Sequence, residues 1–148
     1  MRLVSYGIRL YKIFLSNKKK FLYIPLGLYW LLIFILTSIP GKSIPKVLGG
    51  VDKIKHLGAY FVLAFLLSFA LKMQNGYPKI SKNSIFFTLL ITSLYGLLDE
   101  IHQIFIPGRH FDWWDLLADI VGSVLGILLV KIIISSIYKK DERLSELS

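Results

Sequence analysis

Four apolar blocks, each about twenty residues long, constrain this chain more than any other feature. They fall at residues 21–39, 52–72, 84–106 and from Asp112 to Lys131, with the last extending toward Tyr138. About twenty apolar residues in a helix cross the hydrocarbon core of a bilayer. In lipid, only helices and closed barrels satisfy every backbone donor and acceptor. Blocks of this length are too long for barrel strands, so the fold class is all-α, an integral membrane bundle of four transmembrane helices. The 55% hydrophobic content and mean hydropathy of +0.62 agree.

Residues 1–20 carry Arg2, Arg9, Lys12 and the run Lys18-Lys19-Lys20, with apolar residues between them. This pattern predicts a short basic amphipathic helix lying on the membrane surface. No convincing cleavage site follows, so the segment is expected to be retained. The first span, 21–39, has no charge, and Pro40-Gly41 ends it. A polar loop follows, and the second span opens at Asp52. Residues 73–83 read as a turn-rich basic loop. Pro107-Gly108 stops the third span. The domain reading is an N-terminal segment at 1–20, a four-helix domain at 21–138 and a loose charged tail at 139–148.

Four spans place both termini on one face. That face collects thirteen of the Lys and Arg residues and the other collects five. The positive-inside rule then puts both termini in the cytoplasm, for a multi-pass protein of the cell (plasma) membrane. The net charge of +9 belongs to topology and anionic lipid rather than to nucleic acid, because the bases flank apolar spans. With no cysteine there is no disulfide framework.

The acids are the second constraint. Five of nine, Asp99, Glu100, Asp112, Asp115 and Asp119, lie between residues 95 and 119, and Asp52 opens the second span. An ionisable group inside a span costs a few kcal/mol or more and usually marks function or pairing. The start of the second span, the end of the third and the start of the fourth all reach the outer face. They deliver these acids, with His56, His102, Gln103 and Arg109, to one level. A rise of ~1.5 Å per residue sinks Asp119 roughly 10 Å below Asp112, so the polar groups form a pocket below the surface.

Each residue has a plainer use. Asp112 with Asp115 is standard helix-start chemistry, and Asp52 can cap in the same way. Asp119 lies a further turn in and needs a counter-charge or a proton. Asp52, His56 and Tyr60 recur at i, i+4 and i+8, on one face. The unperturbed pKa of a histidine lies near neutrality, so His56 is the acid/base candidate. Arg109 offers a fork to a phosphate or carboxylate, or clamps Asp112. Trp113 and Trp114 suit interfacial anchoring. Gly96, Gly122 and Gly126 allow close helix contact. His56, His102 and the acids have the donor types of a divalent-ion site, but no tight ligand spacing supports a metal, and no cofactor is expected.

These pieces resemble the VanZ-like family of small membrane proteins. They are Asp52-Lys53-Ile54-Lys55-His56-Leu57-Gly58-Ala59-Tyr60, Asp99-Glu100-Ile101-His102-Gln103-Ile104-Phe105, Pro107-Gly108-Arg109, and Asp112-Trp113-Trp114-Asp115 through Gly122. The end of the first span, Thr37-Ser38-Ile39-Pro40-Gly41, looks like the family too. One departure stands out. The family commonly has Asn where this chain has Asp119, which asks for a protonated side chain or a different local pairing. The resemblance implies a bacterial envelope protein, of a family named for glycopeptide (teicoplanin) resistance, and no defined reaction.

Two functions are expected. In the first, the outward pocket binds or modifies a lipid-linked or peptidoglycan-related component. The catalytic candidates are then His56, oriented by Asp52, with Asp99, Glu100 and Asp119. Arg109, Gln103, Asp112, Asp115, Tyr60 and Lys53 hold substrate. In the second, no chemistry occurs, and the cluster packs helices or binds a partner.

Overall fold

The computed structural model describes residues 17, 19–43 and 51–145. The expected surface helix at 1–20 lies almost wholly outside the described residues. Among those described there is no strand, and helices dominate. We number them α1 (Ile24–Thr37), α2 (Val51–Met73), α3 (Pro78–Lys82), α4 (Ser84–Gln103) and α5 (Trp113–Ser145). A π-helical turn, Lys19–Tyr23, leads into α1. Four stretches are long and apolar enough to cross a membrane: Lys20–Thr37, Val51–Met73, Ser84–Gln103 and Trp113–Lys139.

Local chemistry accounts for most boundaries. Pro25 sits in the first turn of α1, where its missing N–H is not needed. Ser38 closes that helix by donating its hydroxyl to the Phe34 carbonyl at 2.7 Å. α4 stops at Gln103, three residues earlier than its apolar pattern suggests, because turn-type bonds replace the helical ones before Pro107. The loop expected at 73–83 contains the short helix α3. Pro78 starts it, and the Ser81 hydroxyl donates to the Lys72 carbonyl at 2.8 Å, tying it to the end of α2. The tail expected to be loose continues α5 as far as Ser145. Nothing from Ile127 onward is Gly or Pro, so no residue ends the helix there.

The bundle is built on α2 and α5. Their interface is close because Gly122 and Gly126 face α2. A Cβ at Gly122 would collide with the Leu57 carbonyl, and one at Gly126 with the Phe61 carbonyl. This is the small-xxx-small device that membrane helices use when lipid gives no hydrophobic drive to associate. The buried surface mixes Leu63, Ala64, Leu67, Ile127 and Val130 with Ser68, Thr88, Thr92 and Ser123. Thr88 and Thr92 return their hydroxyls to the carbonyls four residues back. The helix α1 lies at the edge. It packs Ile33 on Tyr60 and Leu63, and the Tyr29 hydroxyl donates to the Ala59 carbonyl at 3.1 Å. Its other side exposes Leu28, Leu31 and Ile35, as a lipid-facing surface must.

The two Pro-Gly turns at one end of the bundle meet each other. The Gly41 N–H donates to the Pro107 carbonyl at 3.0 Å. Gly108 has φ +79°, and a Cβ on Gly41 would strike the Gly108 carbonyl. This contact ties the end of α1 to the α4–α5 connection, directly above the polar residues.

Candidate functional site

Helix register brings the acids together. Asp115 and Asp119 are one turn apart on α5 and face α2, where His56 lies a turn inside the start of its helix. His56 Nδ1 is 3.0 Å from Asp119 Oδ1, and both side chains are buried. His56 Nε2 is 3.9 Å from Asp115 Oδ2. Gly96 makes room on the α4 side, since a Cβ there would come within 3.0 Å of Asp119 Oδ2.

A second group surrounds Lys53. Its ammonium donates to Asp112 Oδ2 at 2.7 Å and to Asp115 Oδ1 at 3.0 Å. Asp112 also caps α5, accepting from the Trp114 N–H at 2.8 Å. The Lys53 ammonium, with that amide, holds the Asp112 carboxyl below the usual carboxylate range. Capping and a salt bridge therefore coexist on one side chain.

The third group belongs to α4. Glu100 is fully buried and accepts the Asp112 backbone N–H at 2.8 Å. Gln103 donates to Glu100 Oε1 at 3.1 Å and to Asp99 Oδ2 at 3.3 Å. The Gln103 carbonyl oxygen lies 3.5 Å from Arg109 Nη1, while Arg109 Nε donates to the Ile39 carbonyl at 3.3 Å.

A cleft of about 290 Å³ opens beside these groups. Ile33, Leu36 and Ile39 form its apolar wall, and Lys55, His56, Asp99 and Arg109 are among the residues on its polar side. Asp52 and Tyr60 also line it. Asp52, His56 and Asp115 each present one nitrogen or oxygen, and these three atoms lie within 4.8 Å of one another.

The spans thus gather the candidate site residues between Asp52 and Asp119 at one end of the bundle, though not in every expected pairing. Asp52 does not orient His56. It is half exposed, and its ion pair is with Lys55 at 3.8 Å. The hydrogen-bond partner of His56 is Asp119 instead, reached across the close α2–α5 contact at Gly122. Arg109 does not clamp Asp112, since Lys53 holds that carboxylate. His102 turns outward from the cluster, 3.1 Å from the Ser38 hydroxyl and stacked on Phe34. Tyr60 is buried against Tyr95, with ring centroids 6.0 Å apart. Trp113 and Trp114 are exposed, as interfacial anchors should be. The clamp of Lys53 across two carboxylates is the relationship that sequence reasoning missed. Its signal was the place of Lys53 at the opening of the second span, one residue after Asp52 and three before His56.

These features define a class: a four-span helical membrane protein with a carboxylate–imidazole cluster sunk into one end of the bundle. The chain belongs to the VanZ/LLP1 family, whose model matches residues 7–134. No curated protein and no solved structure matches it.

Proposed function

We propose that the cleft faces outward and takes the charged head of an amphiphilic envelope component, lipid-linked or peptidoglycan-related. The carrying observation is the cleft's two-sided lining. Ile33, Leu36 and Ile39 offer a wall for an acyl or isoprenoid chain, and Lys55 and Arg109 offer cations for a phosphate or carboxylate. His56 opens onto the same space, with Asp119 holding its ring from behind. An imidazole so held can move a proton at the bound head group. The chain then acts at the outer face of the plasma membrane, where a glycopeptide such as teicoplanin also acts. A contribution to glycopeptide tolerance belongs to this same proposal.

A second reading has its own observation. Asp112, Asp115 and Glu100 are all satisfied internally, by Lys53 and by the Asp112 N–H. That supports a structural network in a protein that binds a partner and does no chemistry. Replacing Arg109 by Gln and His56 by Gln separates the two. With the cleft in use, both variants reach wild-type membrane abundance and lose the teicoplanin or envelope phenotype. With a structural network, abundance falls with the phenotype.

A further inference from the structure

We infer that Asp52, His56 and Asp115 form a binding site for one divalent cation of the zinc–manganese class, at the polar end of the cleft. The donor set is one imidazole nitrogen and two carboxylate oxygens, from two helices, with the three atoms already within 4.8 Å of one another. Ligands about 2.1 Å from an ion stand at most ~4.2 Å apart. The His56 Nε2 to Asp115 Oδ2 distance of 3.9 Å is inside that limit. The remaining closure falls to Asp52, which is half exposed and, among the described residues, is paired with Lys55 at 3.8 Å.

The surroundings of His56 make a ligand of it. Asp119 takes Nδ1 at 3.0 Å and leaves Nε2 turned toward Asp115 and the cleft. A carboxylate behind a histidine is the arrangement that fixes the ring of a metal ligand and raises its basicity. The side chain is nine-tenths buried, yet Nε2 has no hydrogen bond among the described residues. Asp115 divides its two oxygens in the same way. Oδ1 receives Lys53, and Oδ2 points at His56. Charge gives an independent reason. Six carboxylates, at 52, 99, 100, 112, 115 and 119, share this end, and their ion pairs among the described residues come from Lys53, Lys55 and His56 alone. A partly buried excess of negative charge calls for a cation or for protons.

Three protein ligands leave open positions, as in catalytic rather than structural sites. Asp52 and His56 line the cleft, so those positions face it. The inference goes beyond the reading of the cleft and changes one part of it. A His56 that holds an ion does not move protons, and the ligand's head group meets the ion together with Arg109 and Lys55.

The test uses the full chain, purified in detergent and stripped with a chelator. It is then incubated with Zn²⁺ or Mn²⁺ alone, desalted and analysed for bound metal. About one ion per chain is expected. Asp52→Asn is the decisive variant, because Asp52 is at the surface and its loss leaves the bundle intact. It is expected to weaken binding at least tenfold. His56→Gln and Asp115→Asn abolish the stoichiometric ion, and Asp119→Asn weakens it about 10- to 100-fold through the ring of His56. His110→Gln keeps the wild-type load. A wild-type load below a tenth of an ion per chain, or an Asp52→Asn load and affinity equal to wild type, overturns the inference. The measurement involves no envelope ligand. A normal ion load in Arg109→Gln with no envelope phenotype lost would count against the cleft reading and leave the metal site standing.

Discussion

His56 Nδ1 and Asp119 Oδ1 stand 3.0 Å apart across the α2–α5 interface, though the two residues are 63 positions apart in the chain. The pair joins the two helices at a depth where water is scarce. Asp119 Oδ2 is buried and has no hydrogen bond among the described residues, so the carboxylate is engaged through one oxygen. Asn keeps an acceptor of the same shape, whereas Ala removes it and strands the imidazole. Losing the partner of a buried polar group costs ~1–3 kcal/mol. Asp119→Ala should therefore lower thermal stability in detergent clearly, and Asp119→Asn by much less. Equal losses would mean that the pair does not help to hold the helices.

The glycines of α5 give a sharper contrast. A methyl group at Gly122 or Gly126 meets a backbone carbonyl of α2, which cannot move aside without separating the helices. Gly27 on α1 has nothing within 4 Å of such a methyl group. Overpacking costs typically ~1–3 kcal/mol per site. Gly122→Ala and Gly126→Ala should reduce membrane abundance and unfolding temperature, with the double variant worse than either. Gly27→Ala should be neutral or slightly stabilising, since Ala is the better helix former by ~1 kcal/mol. Unfolding temperatures of the four purified variants decide it.

The four spans were legible because hydropathy in twenty-residue blocks is a one-dimensional property. The polar end was legible because Asp99, Glu100 and Asp119 stand out against apolar neighbours. Pairings were harder to read. Spacing within α2 suggested Asp52 for His56, but the partner is chosen between helices, by how closely Gly122 lets α5 approach. Lys53 was grouped with possible ligand contacts, and its position across Asp112 and Asp115 depends on the rotation of α2 about its axis. Periodicity gives a face and leaves its neighbour unspecified. The continuation of α5 to Ser145 was missed for another reason: the charges of 139–143 resemble a solvated tail, although none of those residues breaks a helix.

Lys53 carries two carboxylates, at 2.7 and 3.0 Å, with Asp115 the more buried. Lys53→Gln leaves Asp115 without its cation and should cost ~1–3 kcal/mol, discounted from a fully buried pair because the ammonium is partly exposed. The folded-state pKa of Asp112 is depressed by the same ammonium. Its contribution is thus complete above the ordinary carboxylate pKa of ~4 and fades as pH falls through the lower folded value. Thermal unfolding followed from pH 7 to pH 3 should show a steeper acid loss for wild type than for Asp112→Asn. Parallel curves would remove the clamp from the account of stability.

The orientation of the bundle decides which compartment the cleft serves. Lys72, Lys79 and Lys82 flank the α2–α4 connection, and the cleft lies at the opposite end with Arg109. The excess of Lys and Arg on the Lys79 side predicts that this side is cytoplasmic. The chain has no cysteine, so single cysteines report without background. His110→Cys places one beside the cleft, and Lys79→Cys places one in the short exposed helix α3. In intact cells, a membrane-impermeant maleimide should label position 110 and spare position 79 until the membrane is permeabilised. The reverse pattern would turn the cleft toward the cytoplasm, where neither a glycopeptide nor an extracellular wall precursor could reach Arg109.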